Sequence, residues 1–240
     1  MSISVRFPIA IIAGGMGTRI ATIANHLPKS LIPIHGEPFI THQLRLLASN
    51  GFTDVVMCVG YQADQIIDVV KEGQPFNVKV RYSHDGENLL GTGGSIANAL
   101  PLLGEQFFVM YGDSFLQCDY ETIQKTYENS KKLGLMTVYK NNNQWDTSNV
   151  EFNGVSIVRY SKIHLTPAMQ HIDYGLSIFS RAAFTPFQDH VKFDLSLVQE
   201  NLVHENQLAA FEVPQRFYEI GSVSGIQELG RYLNNKDSKQ

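Results

Sequence analysis

Up to about residue 140, short apolar runs alternate with longer segments of helical period, and this alternation limits the fold more than any other feature of the chain. Ile9–Ala13, Asp54–Gly60, Val78–Tyr82, Gln106–Tyr111 and Leu135–Tyr139 read as strands, several of them rich in Val and Ile. Between them, Pro38–Asn50 brings Phe39, Leu44, Leu47 and Ala48 near one face. Ala63–Glu72 repeats Ile66, Ile67 and Val70, and Gly94–Leu103 carries Ile96, Ala97 and Leu100, so each segment predicts a helix. Apolar strands linked through helices call for cover on both faces of a sheet. The expected class is α/β: a Rossmann-like, mostly parallel mixed sheet flanked by helices.

Beyond residue 140 the pattern changes. Asn149–Phe152, Val155–Tyr160 and Ile172–Phe179 are strand-like stretches separated by Asn- or Gly-containing turns, and they predict a small additional β-sheet in the C-terminal half. A helix at Leu195–His204, a strand at Leu208–Val213 and a closing helix at Val223–Leu233 follow. No repeat or interdomain linker interrupts the 240 residues, so one domain is expected.

The balance of 23 acidic and 19 basic residues, well mixed and summing to −4, provides no basic stripe for nucleic acid or an anionic membrane surface. Any phosphate ligand must then be held locally. Cys58 and Cys118 are too few for a disulfide framework or a cysteine metal site. No segment approaches the ~20 apolar residues of a membrane span, and Ile9–Ala13 reads as a buried first strand rather than a signal core. A cytoplasmic location is the default.

The chemistry concentrates first in Ala13-Gly14-Gly15-Met16-Gly17-Thr18-Arg19, directly after the first strand. Glycines allow backbone N–H groups to approach phosphate oxygens closely, because no Cβ intervenes and positive φ is tolerated. A P-loop would require a lysine after Gly17, and a Rossmann dinucleotide turn would require glycine where Ile20 stands, so both are excluded. What remains is a pair of cations, Arg19 and Lys29, the second framed by prolines in Pro28-Lys29-Ser30-Leu31-Ile32-Pro33. Groups of this kind neutralise a leaving pyrophosphate and orient the α-phosphorus of a triphosphate.

G-G-x-G-T-R followed by P-K-x-L-x-P resembles the signature of the sugar-1-phosphate nucleotidyltransferases, the pyrophosphorylases that make nucleotide sugars. The resemblance runs from about residue 8 to 233, implies the nucleotide-diphospho-sugar transferase fold, and divides the domain near residue 140 into nucleotide-binding and sugar-binding halves. It assigns Arg19, Lys29 and Asp113 to catalysis, and Ala13, Gly14, Gly15, Gly17, Thr18 and Arg19 to the triphosphate. Glu87 and Leu90-Gly91-Thr92-Gly93-Gly94-Ser95 match the segment that lies against the nucleobase in this family. Tyr111-Gly112-Asp113 ends an apolar strand, which delivers Gly112 to the nucleotide and Asp113 to a metal at the carboxyl edge of the sheet.

The implied metal is Mg²⁺, with Glu219 of Tyr218-Glu219-Ile220-Gly221-Ser222 as second ligand where relatives carry aspartate in a D-x-G-T turn. For the sugar phosphate, the resemblance points to Asn149, Lys162, Asp173 and Gly175. Two positions depart from the family pattern: Ser161 stands where a glutamate often precedes the lysine, and Ser148-Asn149 replaces a Y-G pair, so the sugar pocket is expected to be remodelled.

The implied partners are an NTP and a sugar 1-phosphate. The implied branch is that of compact heptose-1-phosphate or mannose-1-phosphate guanylyltransferases, which favours GTP. Uridylyl, thymidylyl and cytidylyl transfer stay open, as do a nucleotide-sugar-using glycosyltransferase and a non-catalytic nucleotide-binding regulator. Trp145, Tyr139 and Phe152 suit either a homodimer contact or a second small core.

Overall fold

Among the residues described by this computed structural model, 6–15 and 27–237, the apolar runs form a nine-stranded sheet. The strands in chain order are β1 (Ile9–Ile12), β2 (Pro33–Ile34), β3 (Glu37–Pro38), β4 (Asp54–Val59), β5 (Lys79–His84), β6 (Gln106–Tyr111), β7 (Ser114–Phe115), β8 (Gly134–Lys140), β9 (Val150–Phe152), β10 (Ile157–Tyr160), β11 (His171–Ser180), β12 (Leu208–Glu212) and β13 (Tyr218–Glu219). The α-helices are α1 (Phe39–Ser49), α2 (Ala63–Val70), α3 (Gly91–Ala99), α4 (Tyr120–Ser130), α5 (Leu195–His204) and α6 (Val223–Asp237). No described helix is long and apolar enough to cross a membrane.

Strands β5, β4, β1 and β6 lie side by side and pair in parallel. Because side chains alternate across a pleated strand, each central strand feeds two cores. Ile9, Ile11, Val55, Met57 and Val59 face one, with Ile40, Leu44 and Leu47 of α1, Ile66 of α2 and Ile123 of α4. Ala10, Val56 and Cys58 face the other, with Ile96 of α3 and Val198 and Leu202 of α5. This is the two-sided cover that the apolar runs demand.

Two differences from the sequence reading have plain causes. Helix α4 escapes the apolar count because its buried stripe is Tyr120, Ile123, Gln124 and Tyr127, with a glutamine and two tyrosines in place of aliphatics. Its start is set by Asp119, whose Oδ1 accepts from the Thr122 N–H at 2.9 Å. Strands after residue 140 extend the main sheet: β11 runs antiparallel to β6 and β8, and β12 runs parallel to β8. The small additional sheet drawing on the C-terminal half is the ladder of β13 with β7, and β2 pairs with β3 in a second such ladder.

Two irregularities open the sheet where the site lies. Strand β11 pairs with β6 through Leu176–Ser180 but with β9 at His171, so its neighbour changes along its length. Between these stretches its register with β8 shifts from Asp173 to Ser177, and Gly175 adopts a φ of +95°. Such bulges re-aim side chains at sheet edges and near active sites.

Tyr139 packs edge-on against Phe217, Phe152 against His171, and Trp145 over Arg216, so all three aromatics have partners within the chain.

Candidate active site

Two cavities meet at the carboxyl ends of β1 and β6, and both are walled by Tyr111 and Asp113. The first is lined by Ala13, Gly14, Gly15, Lys29, Asp85, Gly91, Thr92 and Gly112. Close backbone approach explains two of these glycines. A Cβ on Gly112 would lie 2.7 Å from the Ile12 carbonyl oxygen, and one on Gly14 would lie 3.2 Å from both the Gly60 nitrogen and an Asp85 oxygen. Gly17, Thr18 and Arg19 lie outside the described residues.

Lys29 opens a 3₁₀ turn after Pro28 and donates from Nζ to Asp113 Oδ2 at 2.7 Å. Both side chains are mostly shielded, at 15% and 26% exposure, so this is a sheltered ion pair rather than a solvated one. The β7–β13 ladder brings the second acid in: Glu219 stands opposite Ser114, next to Asp113, and the Ile220 N–H donates to the Asp113 carbonyl at 3.0 Å. Two acids 106 positions apart in sequence are thereby neighbours, as the notion of a shared metal requires. Asp119 is occupied in capping α4, where the Thr122 N–H holds its carboxyl below the ordinary value.

The second cavity is lined by Asn149, Lys162, Asp173, Gly175 and Glu219, and also by Asp146 and Thr147, which the sequence did not single out. The β11 bulge orders Asp173. Its Oδ1 accepts from the Gly175 N–H at 3.0 Å and its Oδ2 from Gln199 Nε2 at 3.1 Å. Asn149 Oδ1 in turn accepts from the Asp173 N–H at 3.0 Å. Lys162 Nζ lies 2.8 Å from Asp194 Oδ1. Burial opposes ionisation of Asp194, yet Lys162 and the Ser196 N–H together bring its pKa down to about 2.

Burial holds the Asp173 carboxyl above its ordinary value, offset only in part by the Gly175 N–H, the Lys162 charge and the Gln199 amide. A raised carboxyl pKa means that the folded state binds the proton more tightly than the unfolded chain, so ionisation costs stability as pH rises. Asp173→Asn is therefore expected to raise the melting temperature at neutral pH, by about 2–4 °C per kcal/mol recovered. The gain should vanish once the pH falls below about 3.9, where the unfolded aspartate is protonated too. Thermal melts of both proteins from pH 3 to pH 8 check this, and a variant less stable at pH 7 would contradict it.

Placement separates the residues expected at the nucleobase. Gly91 and Thr92 line the first cavity, whereas Gly93 does not and Glu87 is exposed away from its lining. Helix α3 begins at Gly91, so the Gly91–Gly94 run forms its first turn. That turn is docked on the segment before α5: the Gly93 and Gly94 N–H groups donate to the Phe193 carbonyl at 2.9 and 3.2 Å, and Thr92 Oγ1 accepts from the Leu195 N–H at 2.8 Å. A Cβ on Gly93 would lie 2.4 Å from the Phe193 ring.

Gly91 combines a φ of +72° with a Cβ position 2.6 Å from the Phe193 carbonyl oxygen. Gly91→Ala is thus expected to cost roughly 2 kcal/mol or more, from left-handed strain plus overpacking. Urea unfolding measures it, and a loss under half that size would show that the 191–195 segment yields easily.

Sequence reasoning missed Asp85, a buried acid at the end of β5 that lines the first cavity. Its Oδ2 accepts from Ser95 Oγ at 2.6 Å, while its Oδ1 is buried with no hydrogen-bond partner among the described residues. Burial pushes its carboxyl up, against the Ser95 hydroxyl and the Leu90 N–H. The available signal was its position at a strand's carboxyl end, six residues before Gly91.

The family model for nucleotidyl transferases matches residues 9–154, more than half of the chain. The chain belongs to the nucleotidyl transferase family. This nucleotidyltransferase is similar to the D-glycero-alpha-D-manno-heptose 1-phosphate guanylyltransferase of Campylobacter jejuni, 28% identical over 80% of this chain and 84% of that protein. It is also similar to mannose-1-phosphate guanyltransferase beta-A of Xenopus laevis, 28% identical over 88% of this chain, and spans 60% of that protein's length. The solved structure of HddC from Yersinia pseudotuberculosis complexed with GMP-PN superposes with a TM-score of 0.77 at 24% identity, covering 95% of this chain and 100% of that one. At such identity the likeness shows the fold, and the nucleotidyltransferase has the mixed, helix-flanked sheet of the nucleotide-diphospho-sugar transferases.

Proposed function

We propose that the chain is a single-domain sugar-1-phosphate nucleotidyltransferase that joins GMP from GTP to a heptose or hexose 1-phosphate, releasing pyrophosphate and an NDP-sugar. The observation that carries this reading is the common wall of the two cavities. A triphosphate along Gly14, Gly15 and Lys29 and a sugar phosphate beside Lys162 would meet at Tyr111 and Asp113.

A sugar-phosphate oxygen attacks the α-phosphorus, the bond from that phosphorus to the bridging oxygen breaks, and pyrophosphate leaves with the electron pair. The nucleophile needs no strong base, because the second ionisation of a phosphate monoester lies near pH 6. The chain's work is then positioning and charge stabilisation. Backbone N–H groups of Gly14 and Gly15 serve the triphosphate, that of Ala13 being donated to the Cys58 carbonyl at 2.8 Å, and the charge of Arg19 is assigned to the same phosphates. Lys29 neutralises charge on the leaving group, and Lys162, oriented by Asp194, holds the acceptor phosphate.

The donor set suits Mg²⁺, which takes one or two carboxylates and fills its shell with phosphate oxygens and water. Asp113 and Glu219 supply two hard oxygen donors, Asp113 standing one residue before Ser114, the ladder partner of Glu219, and the described residues include no group of three or more His, Cys, Asp or Glu side chains that could hold a metal ion. When bound there, the metal supplies Lewis-acid neutralisation of phosphate charge.

Support for guanine comes from Asp85 as well as from the guanylyltransferase relatives. A carboxylate only accepts, and guanine offers the N1–H and N2 amino donors side by side, whereas uracil and thymine flank one N–H with two carbonyl oxygens. The test is a pyrophosphate-release panel of GTP, UTP, dTTP, CTP and ATP against several hexose and heptose 1-phosphates with Mg²⁺. GTP should lead the panel. Release from no pair would overturn the reaction, and a UTP- or dTTP-led panel would overturn the base assignment.

A further inference from the structure

Trp145, the only tryptophan of the chain, is 43% exposed in the turn between β8 and β9. The Arg216 guanidinium carbon stacks 3.4 Å from its ring centroid and 4.5 Å from that of Tyr218. Arg216 is also ion-paired with Glu228 of α6 at 2.7 Å, and Tyr218 stacks on Tyr232 of the same helix. The turn that carries Trp145 is internally tied. Buried Asn141 donates to the Asp146 carbonyl at 2.6 Å and accepts from the Trp145 N–H at 3.2 Å, while Asn143 and Ser148 exchange two hydrogen bonds of 2.8 and 3.0 Å.

The stack joins two chain segments that both contribute to the lining of the second cavity. Asp146 and Thr147 flank Trp145 on one side, and Phe217 and Glu219 follow Arg216 on the other. An exposed tryptophan contributes little to a core, so its clamp on an arginine serves to fix the turn rather than to bury area. The charge of the cavity is equally specific. Asp113, Asp146, Asp173 and Glu219 line it, and Lys162 is the sole Lys or Arg among the described lining residues. With Asp113 and Glu219 assigned to Mg²⁺ and Lys162 taken by the acceptor phosphate, a second anionic group on the sugar would face Asp146 and Asp173 with no lysine or arginine among the described lining residues to pair it.

We propose that the Asn141–Ser148 turn selects the acceptor: Asp146 contacts the sugar, the Trp145–Arg216 stack positions it, and the site takes a sugar 1-phosphate whose ring carries hydroxyl rather than carboxylate substituents. This rests on the nucleotidyl-transfer reading for what fills the cavity. A cation–π contact of this geometry is strong enough that Arg216→Ala should raise the KM for mannose 1-phosphate about tenfold, with the KM for GTP unchanged within about twofold. Arg216→Lys, which keeps the charge over the ring, should recover part of that loss.

Asp146→Asn should lower the preference for mannose 1-phosphate over mannuronic acid 1-phosphate by about tenfold, since it removes like-charge repulsion. Trp145 emission gives a readout apart from turnover, and should shift on titration with mannose 1-phosphate in the wild type and not in Arg216→Ala. A parallel rise in both KM values, an unmoved acceptor KM, or an unchanged neutral-to-acidic preference would overturn the proposal. Failure of the reaction reading shows itself differently: the wild type would release no pyrophosphate from any pair, while its emission still shifted with mannose 1-phosphate.

Discussion

Asp113→Asn is expected to lower kcat for pyrophosphate release by about 10²–10³-fold, with a far smaller change in the KM for the NTP. The substitution is nearly isosteric. Its backbone stays anchored by the Ile220 N–H and by the strand end at Tyr111, and the new side-chain oxygen can still accept from Lys29 Nζ. What disappears is a negative charge at the wall common to both cavities, near Glu219, which the β7–β13 ladder places opposite the neighbouring Ser114. If that charge organises cations around the reacting phosphates, its loss falls on the transition state.

Lys29→Ala should act on the same step, because the two groups are bonded at 2.7 Å and work as one unit. Their effects should be less than additive, so the double variant should lose little beyond the worse single one. Additive losses would show that Lys29 and Asp113 serve separate steps. Near wild-type kcat in either single variant, with folding verified by circular dichroism, would remove both from the chemistry.

The local parts of this molecule are legible in its sequence for identifiable reasons. Val55, Val56, Met57, Cys58 and Val59 are fully buried, so nothing polar interrupts the run and the strand announces itself. The ligand edge follows from the same logic, since Gly14, Lys29 and Asp113 all lie where apolar runs give way to turns. Long-range pairings leave no such trace. The approach of Glu219 to the Asp113 strand end depends on a two-residue ladder, which no periodicity can reveal. The resemblance places the glycines of Gly91–Gly94 against a base, yet Gly93 is small because Phe193, a hundred residues later, packs on it. Asp146 and Thr147 reach the second cavity through a turn shaped by Asn141 and Asn143, residues that composition alone assigns to any loop. Ser148 and Ser161, the two departures from the family pattern, are spent on local structure: Ser148 braces this turn, and Ser161 Oγ accepts from the His164 N–H at 3.0 Å.

Asp85→Asn should change which nucleotide the enzyme uses, lowering kcat/KM for GTP by about 10²-fold while UTP holds or gains. Asp85 is buried at the cavity wall with one carboxylate oxygen committed to Ser95 and the other unpaired among the described residues. Burial raises its pKa, so its ionised form is costly in the free protein, and two N–H donors from a guanine would repay that cost and draw the pKa back down. An asparagine presents one acceptor and one donor. It can meet only half of the guanine edge, but it complements an N–H beside a carbonyl, which is what uracil offers. The same substitution removes a poorly solvated charge, so the free variant should be at least as stable as the wild type at pH 7, and loss of GTP use could not be ascribed to unfolding. Measuring kcat/KM for GTP and UTP in both proteins decides the matter. An unchanged ratio would strip Asp85 of any part in base choice, leaving the Gly91–Thr92 backbone as the base-facing element of the described cavity wall.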